Sequence, residues 1–268
     1  SEEQEQKFIN FNSLKDYLEI IKYYINVPNK RFKEIEIELA NPKQINNGTI
    51  QMESELYNHI RPKGEFTTNE RQYNQLKKGG INYLELRSID LNPYTAYGIS
   101  QIEIEFLELL SIYCILCGDE KIDPVEEIKI KENIRRASES GQDCNLICSF
   151  EKGDAEKNIK VLTQELLESL ESLSNAIGLK ENHKNMFKEF YRRNEVPLST
   201  QIIDDLSNNS IVNFISSKSK KQNLNLSKEF LKKMSLEAKT SKKEYLDQQN
   251  KDKIDFETFL ENYRGEIN

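Results

Sequence analysis

Tryptophan is absent from the 268 residues, and histidine occurs twice, cysteine four times, proline six times and glycine ten times. Four cysteines in a chain of this length do not make a disulfide scaffold, and Cys114 and Cys117, inside the apolar stretch Leu109 to Cys117, are expected to be buried, reduced thiols. Cys114-x-x-Cys117 followed by Cys144 and Cys148 is the only zinc-like pattern. The second spacing is loose and no histidine lies near either pair, so structural zinc is not expected. His59 falls in a polar loop, and His183 sits among Asn182, Lys184 and Asn185, which reads as surface. There is no Gly-x-Gly-x-x-Gly, no Walker-type loop, and no Ser or Cys with a convincing base. No apolar run approaches the roughly 20 residues a bilayer requires, and Ser1 to Lys7 are polar and charged where a signal peptide would be apolar. A cytoplasmic protein without a membrane role is therefore expected. The 38 Lys+Arg against 45 Asp+Glu leave a net charge of -7. That excess of acid argues against a nucleic-acid backbone partner, with Lys218, Lys220 and Lys221 as the one local basic run.

At 37% hydrophobic and 31% charged residues, the chain can form a core, but a thin one or one completed by a partner. Ser13 with Asp16, ahead of Leu14, Leu18, Ile21 and Ile25, predicts a capped amphipathic helix closing near Pro28. Arg31 to Ala40 fits both helix and strand spacing. Thr49 to Tyr57 alternates, with Ile50, Met52, Ser54 and Leu56 on one face and Gln51, Glu53, Glu55 and Tyr57 on the other, and predicts a strand. After Gly79 and Gly80 a second strand is expected, with Asn82, Leu84, Leu86 and Ser88 on one face and Ile81, Tyr83, Glu85, Arg87 and Ile89 on the other. Between them lies a loop of about twenty residues holding His59, Arg61, Pro62, Lys63 and Gly64, a length that marks functional loops. Beyond Pro93 the pattern is helical. Ser100 and Glu103 predict a capping box before a helix stopped at Gly118. Asp123 and Pro124 start a helix to about Arg136, and Asp154 caps a long one through Leu162, Leu166, Leu170, Leu173 and Ile177 ended by Gly178. Shorter helices are expected over Asn182–Arg193, Thr200–Leu206, Ser227–Glu237 and Phe256–Tyr263, with a linker over Ser217–Asn225.

The two expected strands carry the densest polar constellation. Glu85 and Arg87 fall on one face about 7 Å apart. With Glu53, Glu55, Tyr57, Arg61 and Lys63 they combine oxygen ligands suited to Mg²⁺ with cations suited to phosphate, the two needs of phosphoryl transfer from a nucleotide. A solvated sheet face with cross-strand ion pairs has the same pattern.

The segments Glu-Ser-Glu-Leu-Tyr-Asn-His-Ile-Arg-Pro-Lys (Glu53 to Lys63) and Gly-Gly-Ile-Asn-Tyr-Leu-Glu-Leu-Arg-Ser-Ile-Asp-Leu-Asn-Pro (Gly79 to Pro93) resemble the bacterial type of glutamate–cysteine ligase. The likeness is strongest between Thr49 and Leu110 and points to the C-terminal portion of that enzyme. It implies an α+β fold: part of a glutamine-synthetase-like antiparallel active-site sheet, followed by a mainly α-helical C-terminal region. It also implies that ATP phosphorylates the γ-carboxylate of glutamate and that the amine of cysteine attacks the acyl phosphate, the first step of glutathione synthesis. On matching positions, Glu85 is the metal-ligating carboxylate, Arg87 the catalytic, phosphate-contacting arginine and Tyr57 a residue of the cysteine pocket. Arg61 and Lys63 are candidates for nucleotide contacts, while Glu53 and Glu55 are expected to orient neighbouring groups.

The family's remaining metal-binding acids, its site histidine and other cysteine-pocket residues lie in an N-terminal portion without counterpart here, and the chain starts at Ser1 rather than Met. The expectation is a fragment, inactive alone, with ATP, Mg²⁺, glutamate and cysteine as ligands and with its N-terminal half either a separate partner chain or a segment in front of Ser1. Residues 1–99 would supply the helix, active-site strands and loop, and residues 100–268 a helical region packed on them, together one incomplete domain. The competing reading is a non-catalytic protein that keeps the fold to bind a nucleotide or another chain. A generic helical interaction protein would leave the two matched motifs as coincidence.

Overall fold

The computed structural model describes residues 9–38, 44–65, 70–118, 120–149, 154–206, 210–221, 227–249 and 254–265. It divides into two units, residues 1–89 with 226–268, and residues 90–225.

In the first unit, α1 (Leu14–Asn26) begins as its sequence predicts, the Ser13 hydroxyl accepting the Asp16 N–H. Its apolar positions recur at three and four residues, so Tyr17, Leu18, Ile21 and Ile25 turn inward and pack with Ile50, Leu56, Tyr73 and Leu76. The ambiguous segment resolves as a helix, α2 (Lys30–Glu38), over its first eight residues, and residues 39–40 lie outside the described ones. Gly48 permits the next chain crossing: a Cβ there would lie 1.9 Å from the Ile25 carbonyl oxygen.

The expected strand over Thr49–Tyr57 does not form. This segment is a loop with a 3₁₀ turn at Glu53–Glu55, because its polar groups are already engaged. The Arg61 Nη2 donates to the carbonyls of Ser54 and Leu56 at 3.0 and 2.9 Å, and the buried Glu53 carboxylate is taken by Arg71. The strand lies one step later, as β1 (Ile60–Lys63), within the stretch expected to be loop. It pairs antiparallel with β2 (Tyr83–Leu86), Ile60 opposite Leu86 and Lys63 opposite Tyr83. The connection is α3 (Gln72–Gly79), which ends at Gly80 with φ 75, a left-handed turn that glycine adopts without strain.

In the second unit, α4 (Gln101–Leu116) carries the expected capping box between Ser100 and Glu103. The Glu103 carboxylate also accepts from Asn92 and Arg193. Burial alone would raise its pKa, but the hydrogen bonds from Ser100, Arg193 and Asn92 outweigh it and hold the carboxyl low. α5 (Pro124–Ser140) starts at Asp123 and Pro124 as expected. Asp154 does not cap a helix. It opens β4 (Asp154–Asn158), which pairs antiparallel with β3 (Asn145–Ser149), a hairpin that sequence spacing did not reveal. The long helix α6 (Ile159–Ala176) is capped instead by Asn158.

Leu109 of α4, Leu170 of α6, and Met186 and Phe187 of α7 (Lys180–Glu195) form the second core. His183 corrects the surface expectation. It lies three and four residues before Met186 and Phe187, on the packed face, is buried, and meets the Ser174 hydroxyl at 2.9 Å. Cys114 and Cys117 are likewise exposed rather than buried, while Cys144 and Cys148 are buried. No cluster of three or more metal-ligating side chains occurs among the described residues. α8 (Leu198–Leu206) and α9 (Ile211–Lys221) follow. α9 covers the first half of the expected linker, and residues 222–225 lie outside the described ones. Returning to the first unit, α10 (Lys228–Gln249) runs well past Glu237, and α11 (Phe256–Gly265) buries Leu260.

Burial pushes the Tyr17 phenol up to about 12, with the Arg61 charge opposing the shift. An unfolded tyrosine ionises near about 10, so above that pH the unfolded state releases a proton that the folded state keeps. Stability from this group is therefore intact below about pH 10 and is lost as pH rises toward the folded value. Between pH 9 and 11, urea unfolding is expected to show a drop about 1 kcal/mol larger in the wild type than in Tyr17→Phe.

Candidate active site

The β1–β2 pairing assigns the two faces of the hairpin. Period-two alternation puts Ile60, Pro62, Leu84 and Leu86 on one side and Arg61, Lys63, Tyr83 and Glu85 on the other, with Arg61 directly opposite Glu85. The pairing continues one residue beyond β2, where the Arg87 N–H donates to the His59 carbonyl at 2.7 Å. That bond fixes Arg87 beside Glu85.

On the polar face the charges converge. Lys63 Nζ is 3.2 Å from Glu85 Oε2, and Arg87 Nε is 3.6 Å from Glu85 Oε1. The Arg87 guanidinium lies over the Tyr57 ring, 5.0 Å from its centroid, a cation–π approach. Lys63 is steadied by the first residue of α3: its ammonium donates to Gln72 Oε1 at 3.2 Å, and Gln72 donates back to the Pro62 carbonyl at 2.8 Å. The structure thus brings together four of the five residues expected from sequence to contact metal, nucleotide or substrate, Tyr57, Lys63, Glu85 and Arg87. The fifth, Arg61, is buried beneath them on the Ser54 and Leu56 carbonyls, where it braces the chain rather than lining the surface.

The hydrogen bond from Lys63 holds the Glu85 carboxyl below its usual range, and the charges of Lys63, Arg87 and Arg61 add to the effect. One carboxylate faces three cations, and the surplus of positive charge suits a polyanion such as a nucleotide phosphate. Next in the chain, Ser88 takes a left-handed φ of 63°. For a residue with a side chain this costs about 1–2 kcal/mol, and strain of this kind gathers at functional sites.

A magnesium ion does not fit this cluster as it stands. The ion requires near-octahedral oxygen ligation, whereas the polar face offers one carboxylate with both oxygens already turned to cations. Sequence reasoning missed Arg71 and Tyr263. Arg71 Nε and Nη2 each reach a Glu53 oxygen at 3.1 Å, and its guanidinium stacks 3.8 Å from the Tyr263 ring centroid. Nothing in the local pattern at either position signals this long-range contact.

A glutamate–cysteine ligase family profile matches residues 1–137. The chain belongs to the glutamate–cysteine ligase family. It is 35% identical over 187 residues to the glutamate–cysteine ligase of Wigglesworthia glossinidia brevipalpis, a match covering 68% of this chain and 36% of that protein. It is 34% identical over 148 residues to that of Shewanella pealeana, covering 55% and 28%. The matched segments therefore span about a third of the length of these glutamate–cysteine ligases. A similar fold occurs in the crystal structure of a Francisella tularensis glutamate–cysteine ligase in complex with AMP. The TM-score is 0.85 at 22% identity, over 98% of this chain and 54% of that one.

The depressed Glu85 titration gives a pH-dependent outcome. A carboxyl whose folded pKa is lowered adds stability above its unfolded pKa and loses it as pH falls through the folded value. In Lys63→Met, the Glu85 titration followed by side-chain carboxyl NMR is expected to move back up toward an ordinary glutamate, and the Arg87 pairing alone should leave it slightly low.

Proposed function

We propose that this chain is the nucleotide-facing portion of a glutamate–cysteine ligase, the enzyme that joins the γ-carboxyl of glutamate to the amine of cysteine with ATP. In that reaction the γ-carboxylate oxygen attacks the terminal phosphorus of ATP and ADP leaves. The cysteine amine then attacks the acyl phosphate carbon, phosphate departs, and the amine loses a proton to give γ-glutamylcysteine. Membership of the family supports the reaction class. The observation that carries the local roles is the Lys63–Glu85–Arg87 cluster with Tyr57 on one hairpin face.

In this reading Arg87 neutralises charge on the transferred phosphoryl oxygens, as electrostatic catalysis requires. Lys63 faces a neighbouring phosphate, and Arg61 contributes its charge from below. Tyr57, more than half exposed at 61%, offers a ring edge to the cysteine side chain. Glu85 orients Lys63 and Arg87, and it would turn an oxygen to a metal only once further acids complete the oxygen shell. The other acids come from the part of the ligase that the relatives have and this match does not span, supplied by another segment or a separate chain. The same part would cover the outer hairpin face, where Ile60, Leu84 and Leu86 are 44%, 56% and 42% exposed. No described helix is long and apolar enough to cross a membrane, and we place the reaction in the cytoplasm.

Two measurements test the reading. Calorimetry of the purified chain should show ADP binding that weakens at least tenfold in Arg87→Ala, a loss of about 1.4 kcal/mol. ADP release from ATP, glutamate and cysteine should be absent with the chain alone and appear on adding the remaining portion of a ligase. Robust turnover by the chain alone, or ADP binding indifferent to Arg87, would contradict it.

A further inference from the structure

Three residues far apart in sequence meet under the turn that leads into Tyr57. The Glu53 carboxylate receives Arg71 Nε and Nη2 at 3.1 Å each and the Tyr73 backbone N–H at 3.2 Å. Its side chain and that of Arg71 are 6% and 3% exposed. The remaining terminal nitrogen of Arg71, Nη1, donates to the Tyr263 carbonyl at 3.0 Å, while the Tyr263 ring closes over the guanidinium. Immediately after Glu53, the Ser54 and Leu56 carbonyls are held by Arg61, and the following residue is Tyr57, stacked on Arg87. Two guanidinium groups therefore fix the turn, one through a side chain and one through the backbone.

We infer that Arg71 and Tyr263 are positioning residues of the candidate active site: they act through Glu53 to hold the 53–56 turn and with it the placement of the Tyr57 ring against Arg87. The C-terminal helix α11 is thereby a working part of the site, although Tyr263 lies 206 positions after Tyr57. Geometry sets what each group contributes. A bidentate guanidinium–carboxylate pair fixes both distance and plane, whereas a lysine fixes distance alone. Tyr263 contributes its ring face and its backbone carbonyl to Arg71. Because the pair is buried, removing one partner strands the other, and Arg71→Ala would confuse unfolding with mispositioning. The milder variants Arg71→Lys and Tyr263→Ala keep the two effects apart.

The inference rests on the proposed role of Tyr57 and Arg87, and the chain itself supplies a reporter. With no tryptophan present, Tyr57→Trp places a single indole at the site. In that background, fluorescence anisotropy of Trp at position 57 is expected to fall in Arg71→Lys and in Tyr263→Ala. The fall should match that caused by Arg87→Ala, with far-UV circular dichroism unchanged. If Tyr263→Ala and Arg71→Lys leave the anisotropy unchanged while Arg87→Ala lowers it, the positioning role is wrong. ADP calorimetry on the same proteins separates the two ideas. Failure of the wild type to bind ADP would overturn the nucleotide reading, while the anisotropy series would still decide the positioning role.

Discussion

A buried charge must be matched, and in this chain that constraint falls on the short turn at Glu53–Glu55. An unpaired carboxylate in the interior carries a penalty of several kcal/mol, and unbonded backbone carbonyls carry their own. Arg71 answers the first at Glu53 and Arg61 answers the second at Ser54 and Leu56. Once both are in place the turn cannot pair as a strand, Tyr57 emerges at the rim, and the hairpin that follows takes over the sheet geometry. The site is thus an outcome of satisfying polar groups beneath it.

The hairpin sets charged side chains above that base. A two-residue period and a fixed register put Lys63, Glu85 and Arg87 in one patch. Cross-strand pairs of this kind are individually weak, and exposed ion pairs add little stability. Their value is placement: Glu85 gathers two cations on one face, and in the proposed reading these meet a phosphate. The opposite face is apolar and exposed at Ile60, Leu84 and Leu86.

The helices were legible where local signals decide them. Ser13 and Asp16, Ser100 and Glu103, and Asp123 with Pro124 each announced a helix start, because a cap is satisfied by residues within one turn. The antiparallel sheet and its polar face were legible too, since period two survives at Tyr83, Glu85 and Arg87. What sequence concealed was long-range. Thr49–Tyr57 alternates like a strand, but its Ser54 and Leu56 carbonyls are claimed by Arg61. Asp154 looks like a cap, but it pairs opposite Ser149. His183 has polar neighbours in sequence, but its helical face meets Ser174. Arg71 and Tyr263 carry no local pattern, as their partners are set by tertiary packing alone.

The central claim is that the polar face of the β1–β2 hairpin receives the phosphates of a nucleotide. Amide and side-chain NMR shift mapping of the chain titrated with ADP tests it most directly. The expected result is a contiguous set of perturbations at Tyr57, Lys63, Glu85 and Arg87, with Arg61 moving less and the α4–α6–α7 core silent. Perturbations centred on the Lys218–Lys221 segment instead, or spread without focus, would contradict it.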